Sequence, residues 1–131
     1  MDKNKVLIID DEADYLSVMK ERLESWGYEV ILAQGGKEGL TAAKEESPDI
    51  IILDYFMPDM DGTAVLKEIR KFNKSLAVIM LTAHADVKNI KDAQKWGVSA
   101  FIPKLSDYSD VHVSLRSALD MAGKKVKENK G

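Results

Sequence analysis

The chain contains no cysteine, which removes disulfides and thiolate metal sites together and leaves a reducing compartment open to it. It also lacks any long apolar run. The N-terminal stretch "MDKNKVLIIDDEAD" is apolar only from Val6 to Ile9 before its acids begin, far too short for a signal core or a membrane span. A cytoplasmic protein without membrane contact is expected. Nor is there a strong excess of charge of either sign: 19 basic residues face 22 acidic ones, a net −3, so neither nucleic acid nor an anionic membrane is implied as a partner. No repeat, low-complexity stretch or long linker breaks the pattern. What remains is 131 residues, 45% of them hydrophobic, enough for one domain with a sizeable core and too few for two ordinary ones.

Apolar runs and helical periodicities alternate along that length. Val6 to Ile9 reads as a strand, and "ADYLSVMKERLESWG" then spaces Leu16, Met19, Leu23 and Trp26 as one face of a helix that stops at Gly27. "YEVILA" is a second strand. "GKEGLTAAKEE" is a helix with Leu40 and Ala43 inward, ended by "SPD". The strand Ile50 to Leu53 follows, then "GTAVLKEIRKF" with Val65, Leu66, Ile69 and Phe72 inward, and the strand "LAVIML". A weaker helix with Val87, Ile90, Ala93 and Trp96 inward ends at Gly97, and "SAFIP" is a last short strand. A closing helix from about Tyr108 to Met121 runs through Val111, Leu115, Ala118 and Leu119. Five strand-then-helix units with short connections predict an α/β, flavodoxin-like, doubly wound five-stranded parallel sheet in the order 2-1-3-4-5 with five helices. The domain is expected over 1–122. Residues 123–131, where Lys124, Lys125, Lys127 and Lys130 face only Glu128, read as a basic, disordered C-terminal tail.

In such a sheet ligands bind outside the carboxyl ends of the strands. The first strand ends in Asp10, Asp11 and Glu12, and the third carries Asp54 out of the core before "YFMPDMDG". Alone, Asp54 reads as a turn or cap residue, and Asp11 or Asp14 could cap the first helix. With strands 1 and 3 adjacent, however, the acids share one crevice. Clustered carboxylates repel unless protonated or bound to a cation, and oxygen donors without His or Cys point to Mg²⁺ completed by a phosphate. Thr82 ends the fourth strand and Lys104 the fifth, adding a hydroxyl and an ammonium to the same edge.

These residues, from Asp10-Asp11 through "DYFMPDMDG" and "LTA" to Lys104, together resemble the receiver domain of bacterial two-component response regulators, over about Lys5 to Ala122. The resemblance implies that Asp54 is the phosphorylation site and takes its phosphoryl group from a histidine kinase or histidine phosphotransfer protein. It implies Mg²⁺ held directly by Asp11 and Asp54, through water by Asp10, and by the backbone carbonyl of Phe56. Thr82 and Lys104 would hold the phosphoryl oxygens, and Thr82 and Phe101 would form the switch. Enzymatic activity would be confined to the domain's own phosphorylation and dephosphorylation. Output to an unknown downstream protein, and a dimer where one forms, would use the face made by the fourth helix, fifth strand and last helix.

Two positions depart from the family's pattern. Pro103-Lys104-Leu105 stands where the family has its lysine followed by proline, and the Lys104–Leu105 bond is expected to be trans, since a cis bond before a non-proline residue costs about 3 kcal/mol. Phe101 stands where Tyr or His is common. A receiver-shaped interaction module that is never phosphorylated is the rival reading, against which the intact set of Asp10, Asp11, Asp54, Thr82 and Lys104 argues. A flavodoxin-like cofactor binder would want a Gly- or Ser/Thr-rich phosphate loop where this chain has "IIDDEAD". A haloacid-dehalogenase-like phosphatase would carry its nucleophile after strand 1, not strand 3. With no effector domain after the last helix, the expectation is a stand-alone receiver or a receiver fragment of a larger regulator.

Overall fold

Alternation along the strands sets the layering. In β1 (Lys5–Ile9), β3 (Ile50–Asp54) and β4 (Ala77–Thr82) nearly every residue is buried, as befits parallel strands covered on both faces. Val6, Ile8, Ile50, Ile52, Ile79 and Leu81 pack to one side, with Leu16, Met19 and Leu23 of α1 (Ala13–Ser25) and with Leu115 and Leu119. Leu7, Ile9, Ile51, Leu53, Val78 and Met80 pack to the other, with Ala43, Val65, Leu66, Ile69 and Ala93. That second layer is made by α2 (Gly36–Glu46), α3 (Gly62–Phe72) and α4 (Val87–Lys95). The less buried edge strands are β2 (Glu29–Ala33) and β5 (Ala100–Pro103), and the last helix, α5, is described over 114–124. These statements come from a computed structural model that describes residues 4–83, 87–103 and 114–124.

The five strands pair in parallel in the order β2-β1-β3-β4-β5, and with five helices this is the predicted doubly wound fold. The bounds of α2 and α3 coincide with those read from the sequence. The third and fourth strands each run one residue further than their apolar runs, through Asp54 and Thr82, so both polar groups belong to the ladder. At α4 the chain stops on Gly97 (φ 76°), where the Gly97 N–H donates to the Gln94 carbonyl and the Val98 N–H to the Ala93 carbonyl. That left-handed residue closes the helix as glycine does most readily.

One expected core residue is not in the core. Phe72 is 41% exposed; it lies in the final turn of α3, past the last buried contact at Ile69, and its ring sits 5.4 Å from the Lys44 ammonium. The last helix is described through 124, past the expected limit at 122. Tyr108, Val111, the Val87 side chain, the Lys104–Leu105 bond and the tail from 125 lie outside the described residues.

Candidate functional site at the carboxyl edge of the sheet

Register brings the predicted residues to one edge. Ile9 of β1 lies opposite Leu53 of β3, so Asp10 and Asp54 follow at equivalent positions on adjacent strands. Asp54 in turn lies opposite Leu81 of β4, Thr82 comes next, and Thr82 lies opposite Pro103 of β5. Asp10 is 1% exposed, Asp54 6% and Thr82 fully buried, and each has polar or charged surroundings as burial of such groups requires. Lys104, the next residue after Pro103, lies outside the described residues.

A tight turn gathers the first group of acids. The Asp10 N–H extends the ladder to the Ala33 carbonyl at 3.1 Å, while its Oδ1 accepts the Glu12 N–H at 2.9 Å. This Asx-type bend folds the chain so that carboxylate oxygens of Asp10, Asp11 and Glu12 lie within 4.8 Å of one another. Capping by Asp11 or Asp14, the bland alternative, is not what is seen: Glu12 is the N-cap of α1, and its side chain makes no capping bond. The gathered acids therefore sit at a helix start whose partial positive charge offsets part of their repulsion. Three hard oxygen donors of this kind suit Mg²⁺. The group adds Glu12, which the sequence places beside the acids but not among the expected ligands, and it does not include Asp54.

The loop after Asp54 is fixed by its neighbours. Gly62 opens α3 so close to the strand end that its N–H donates to the Tyr55 carbonyl at 2.6 Å. A Cβ there would meet Tyr55 Cα at 2.8 Å and the Asp54 carbonyl oxygen at 2.9 Å, which only glycine avoids. Tyr55 donates its hydroxyl to Asn89 Oδ1 on α4 at 2.9 Å. Its ring meets the exposed Phe56 ring edge-on, with centroids 4.7 Å apart. The loop's other two aspartates cap helices. Asp61 accepts from the Ala64 N–H at the start of α3, and Asp59 reaches across to the start of α2, taking the Gly36 and Lys37 N–H groups at 3.0 and 2.9 Å. Those donors, Lys37 foremost, hold the Asp59 carboxyl below the usual carboxylate range. On α3 the buried Thr63 hydroxyl has no hydrogen-bond partner among the described residues. Phe101, opposite Met80, is partly buried against the layer of α2, α3 and α4.

This arrangement agrees with what the chain is similar to. The family model for the response regulator receiver domain matches residues 6–116. The chain belongs to the response regulator receiver family. Its resemblance to the transcriptional regulatory protein ZraR of Escherichia coli K12 is 32% identity over 90% of this chain and 27% of that one, so it spans about a quarter of that regulator's length. A CheY-like response regulator receiver domain protein from Methanospirillum hungatei superposes with a TM-score of 0.84 at 31% identity, covering 95% of this chain and 99% of the other. The response regulator protein TrrA of Thermotoga maritima, solved in complex with Mg(2+)-BeF, gives 0.76 at 29% identity over 88% and 98%. Receiver domains generally bind Mg²⁺ through an acidic cluster and interact with histidine kinases or phosphotransfer proteins; in this receiver domain Asp10, Asp11 and Glu12 form such a cluster. Among the described residues, no helix is long and apolar enough to cross a membrane.

Proposed function

We propose that this receiver domain is a cytoplasmic phosphorylation switch whose acceptor is Asp54. The observation that carries the reading is the register, which sets a nearly buried carboxylate one strand from Asp10 and one position from Thr82. A carboxylate oxygen of Asp54 attacks the phosphorus of a phosphohistidine on a histidine kinase or histidine phosphotransfer protein. The P–O bond forms as the P–N bond breaks, and the electron pair leaves with the imidazole. Positioning and charge neutralisation do most of the work in such a transfer.

Asp11 and Asp54 would hold Mg²⁺ directly, Asp10 through a water, with the Phe56 carbonyl as the remaining protein ligand; Glu12 adds a carboxylate beside them. Bound there, Mg²⁺ supplies neutralisation of the charge on the transferring phosphoryl oxygens. Thr82 and Lys104 contact those oxygens in the product. As the Thr82 hydroxyl moves toward Asp54 it leaves space beneath α4 for the Phe101 ring. The face of α4, β5 and α5 then carries the signal to a downstream protein or a second copy. The domain expected over 1–122, with its last helix continued to 124, supplies the switch, and the basic residues after it are a tail.

The experiment is incubation with acetyl phosphate and Mg²⁺, followed by intact mass. The expected result is a single phosphoryl adduct that does not form in Asp54→Asn or when EDTA is present from the start of the incubation. An adduct that persists in either overturns the assignment.

A further inference from the structure

A second feature of the molecule lies at the opposite end of α3 and α4 from Asp54, and its charge is of the opposite sign. Lys67, Arg70, Lys71 and Lys74, together with Lys95 and Trp96, line a groove of about 690 Å³ in which Glu68 is the one carboxylate. Five of the chain's 19 basic residues thus meet in one groove of a protein whose net charge is −3. Lys71 pairs with Glu68 at 2.8 Å. Among the described residues, Lys67, Lys74 and Lys95 form no ion pair. The Lys67 ammonium stands 5.6 Å from the centre of the Trp96 ring, within cation–π range.

Arg70 builds the groove more than it serves a ligand. Its Nε donates to the Trp96 carbonyl at 2.8 Å, one Nη to the carbonyls of Asn73 and Leu76 at 3.1 and 2.8 Å, and the other to the Gly97 carbonyl at 2.9 Å. The guanidinium therefore locks the end of α3 to the end of α4 and to the chain entering β4, and it contributes a fixed positive charge from behind. The donors outside any ion pair are the ammoniums of Lys67, Lys74 and Lys95; the lysine stems and the Trp96 ring give the groove apolar walls.

We propose that this groove docks a short acidic segment of a partner protein, with carboxylates on the lysines and one apolar side chain against Trp96. Lysine ammoniums arrayed beside an apolar wall complement alternating acidic and apolar side chains. A nucleic acid fits less well. Its phosphates would continue past the groove onto a domain that carries a net negative charge, and the one guanidinium present is already committed to carbonyls. The proposal is independent of phosphorylation at Asp54, because the groove is formed by helix ends and Arg70 without the acid edge.

The test uses the whole protein labelled with ¹⁵N and a hexapeptide of Asp and Glu with one central Phe. The peptide should shift the Trp96 indole N–H and backbone amides of Lys67 to Lys74 and Lys95 to Gly97, with affinity falling as salt rises. Lys74→Glu/Lys95→Glu should weaken binding about tenfold, whereas Lys20→Glu/Lys124→Glu, on the other face of the sheet, should change it less than threefold. Lys74, Lys95 and Lys124 are exposed and Lys20 is half-buried beside Glu24, and the spectrum of each variant reports its folding directly. Equal weakening by the two pairs, or shifts centred elsewhere, overturns the groove. Tighter binding of a single-stranded DNA hexamer than of the peptide in the same buffer overturns the acidic-peptide partner.

Discussion

At the carboxyl edge of the sheet a tight turn anchored by the buried Asp10 draws the carboxylates of Asp10, Asp11 and Glu12 within 4.8 Å of one another, whereas at the far ends of α3 and α4 the lysines stand exposed around one fixed guanidinium. The contrast is in what holds like charges together. Strand ends are rigid main chain, so acids placed on them cannot move apart and call for a cation. Lysines on helix flanks are long, solvated and free to spread, so they tolerate each other and create a field without a built ligand cage. The first arrangement suits chemistry on a defined atom; the second suits recruitment of a charged partner.

The largest effect is expected at Arg70. Replacing it by alanine leaves the carbonyls of Asn73, Leu76, Trp96 and Gly97 without their shared donor. A hydrogen bond from a charged donor contributes about 1.5–3 kcal/mol, but water can reach some of these oxygens, so the expected loss is about 3 kcal/mol rather than the full sum. Arg70→Lys should recover only part of it, since one ammonium cannot span four acceptors. Urea denaturation measures the loss. Mg²⁺ titration of the same variant should give an affinity within about threefold of wild type, because the acid edge does not depend on this end of the layer. A loss under about 1 kcal/mol would show that solvent replaces Arg70 at little cost.

At the acid edge the corresponding substitution is Gly62→Ala. The added Cβ meets backbone atoms of Tyr55 and Asp54 at 2.8 and 2.9 Å, and backbone cannot rotate away as a side chain can. Overpacking of this kind costs about 2 kcal/mol, and here the strain falls on the strand end that carries Asp54. Mg²⁺ affinity should drop about tenfold along with stability, the reverse of the Arg70→Ala pattern. Unchanged Mg²⁺ binding in Gly62→Ala would mean that the loop adjusts without moving Asp54.

How far each end could be read from sequence follows from how local its causes are. The doubly wound sheet is legible because a doubly buried strand must be a short apolar run, as at Ile50 to Leu53, and because α2 and α3 carry their periodicity over their full lengths. Asp54 and Thr82 are legible as polar residues where such runs stop. Glu12's place among the acids is not, because it depends on a turn made by the Asp10 side chain. Phe72 misleads, since helical spacing alone does not say where the sheet beneath a helix ends. Asp59 and Arg70 are the hardest: Asp59 reaches Gly36 and Lys37, 23 and 22 residues away along the chain, and two of the four carbonyls on Arg70, those of Trp96 and Gly97, lie 26 and 27 residues away, beyond any local pattern. The near balance of 19 basic and 22 acidic residues likewise conceals that five bases meet in one groove and that Asp10, Asp11 and Glu12 meet at the opposite edge.

The smallest effect is expected from pH, at Asp59, whose carboxylate joins the acid loop to the start of α2. Backbone donors from Lys37 and Gly36 lower its pKa from the ordinary 3.8, so the folded state favours the charged form. A carboxyl with a depressed folded-state pKa contributes stability that is fully present above the unfolded value and is lost as pH falls through the folded one. Asp59→Asn retains an oxygen able to accept one N–H but carries no charge to titrate. The variant should therefore be less stable than wild type at neutral pH, and the gap should close as pH drops below about 3.8. Because the group is exposed, solvent screens its interactions, and the gap should be a small fraction of the Arg70→Ala loss. Urea midpoints across that acid range for both proteins measure it. A gap that stays constant through the range would show that the two hydrogen bonds act through geometry alone, with no part played by the charge on Asp59.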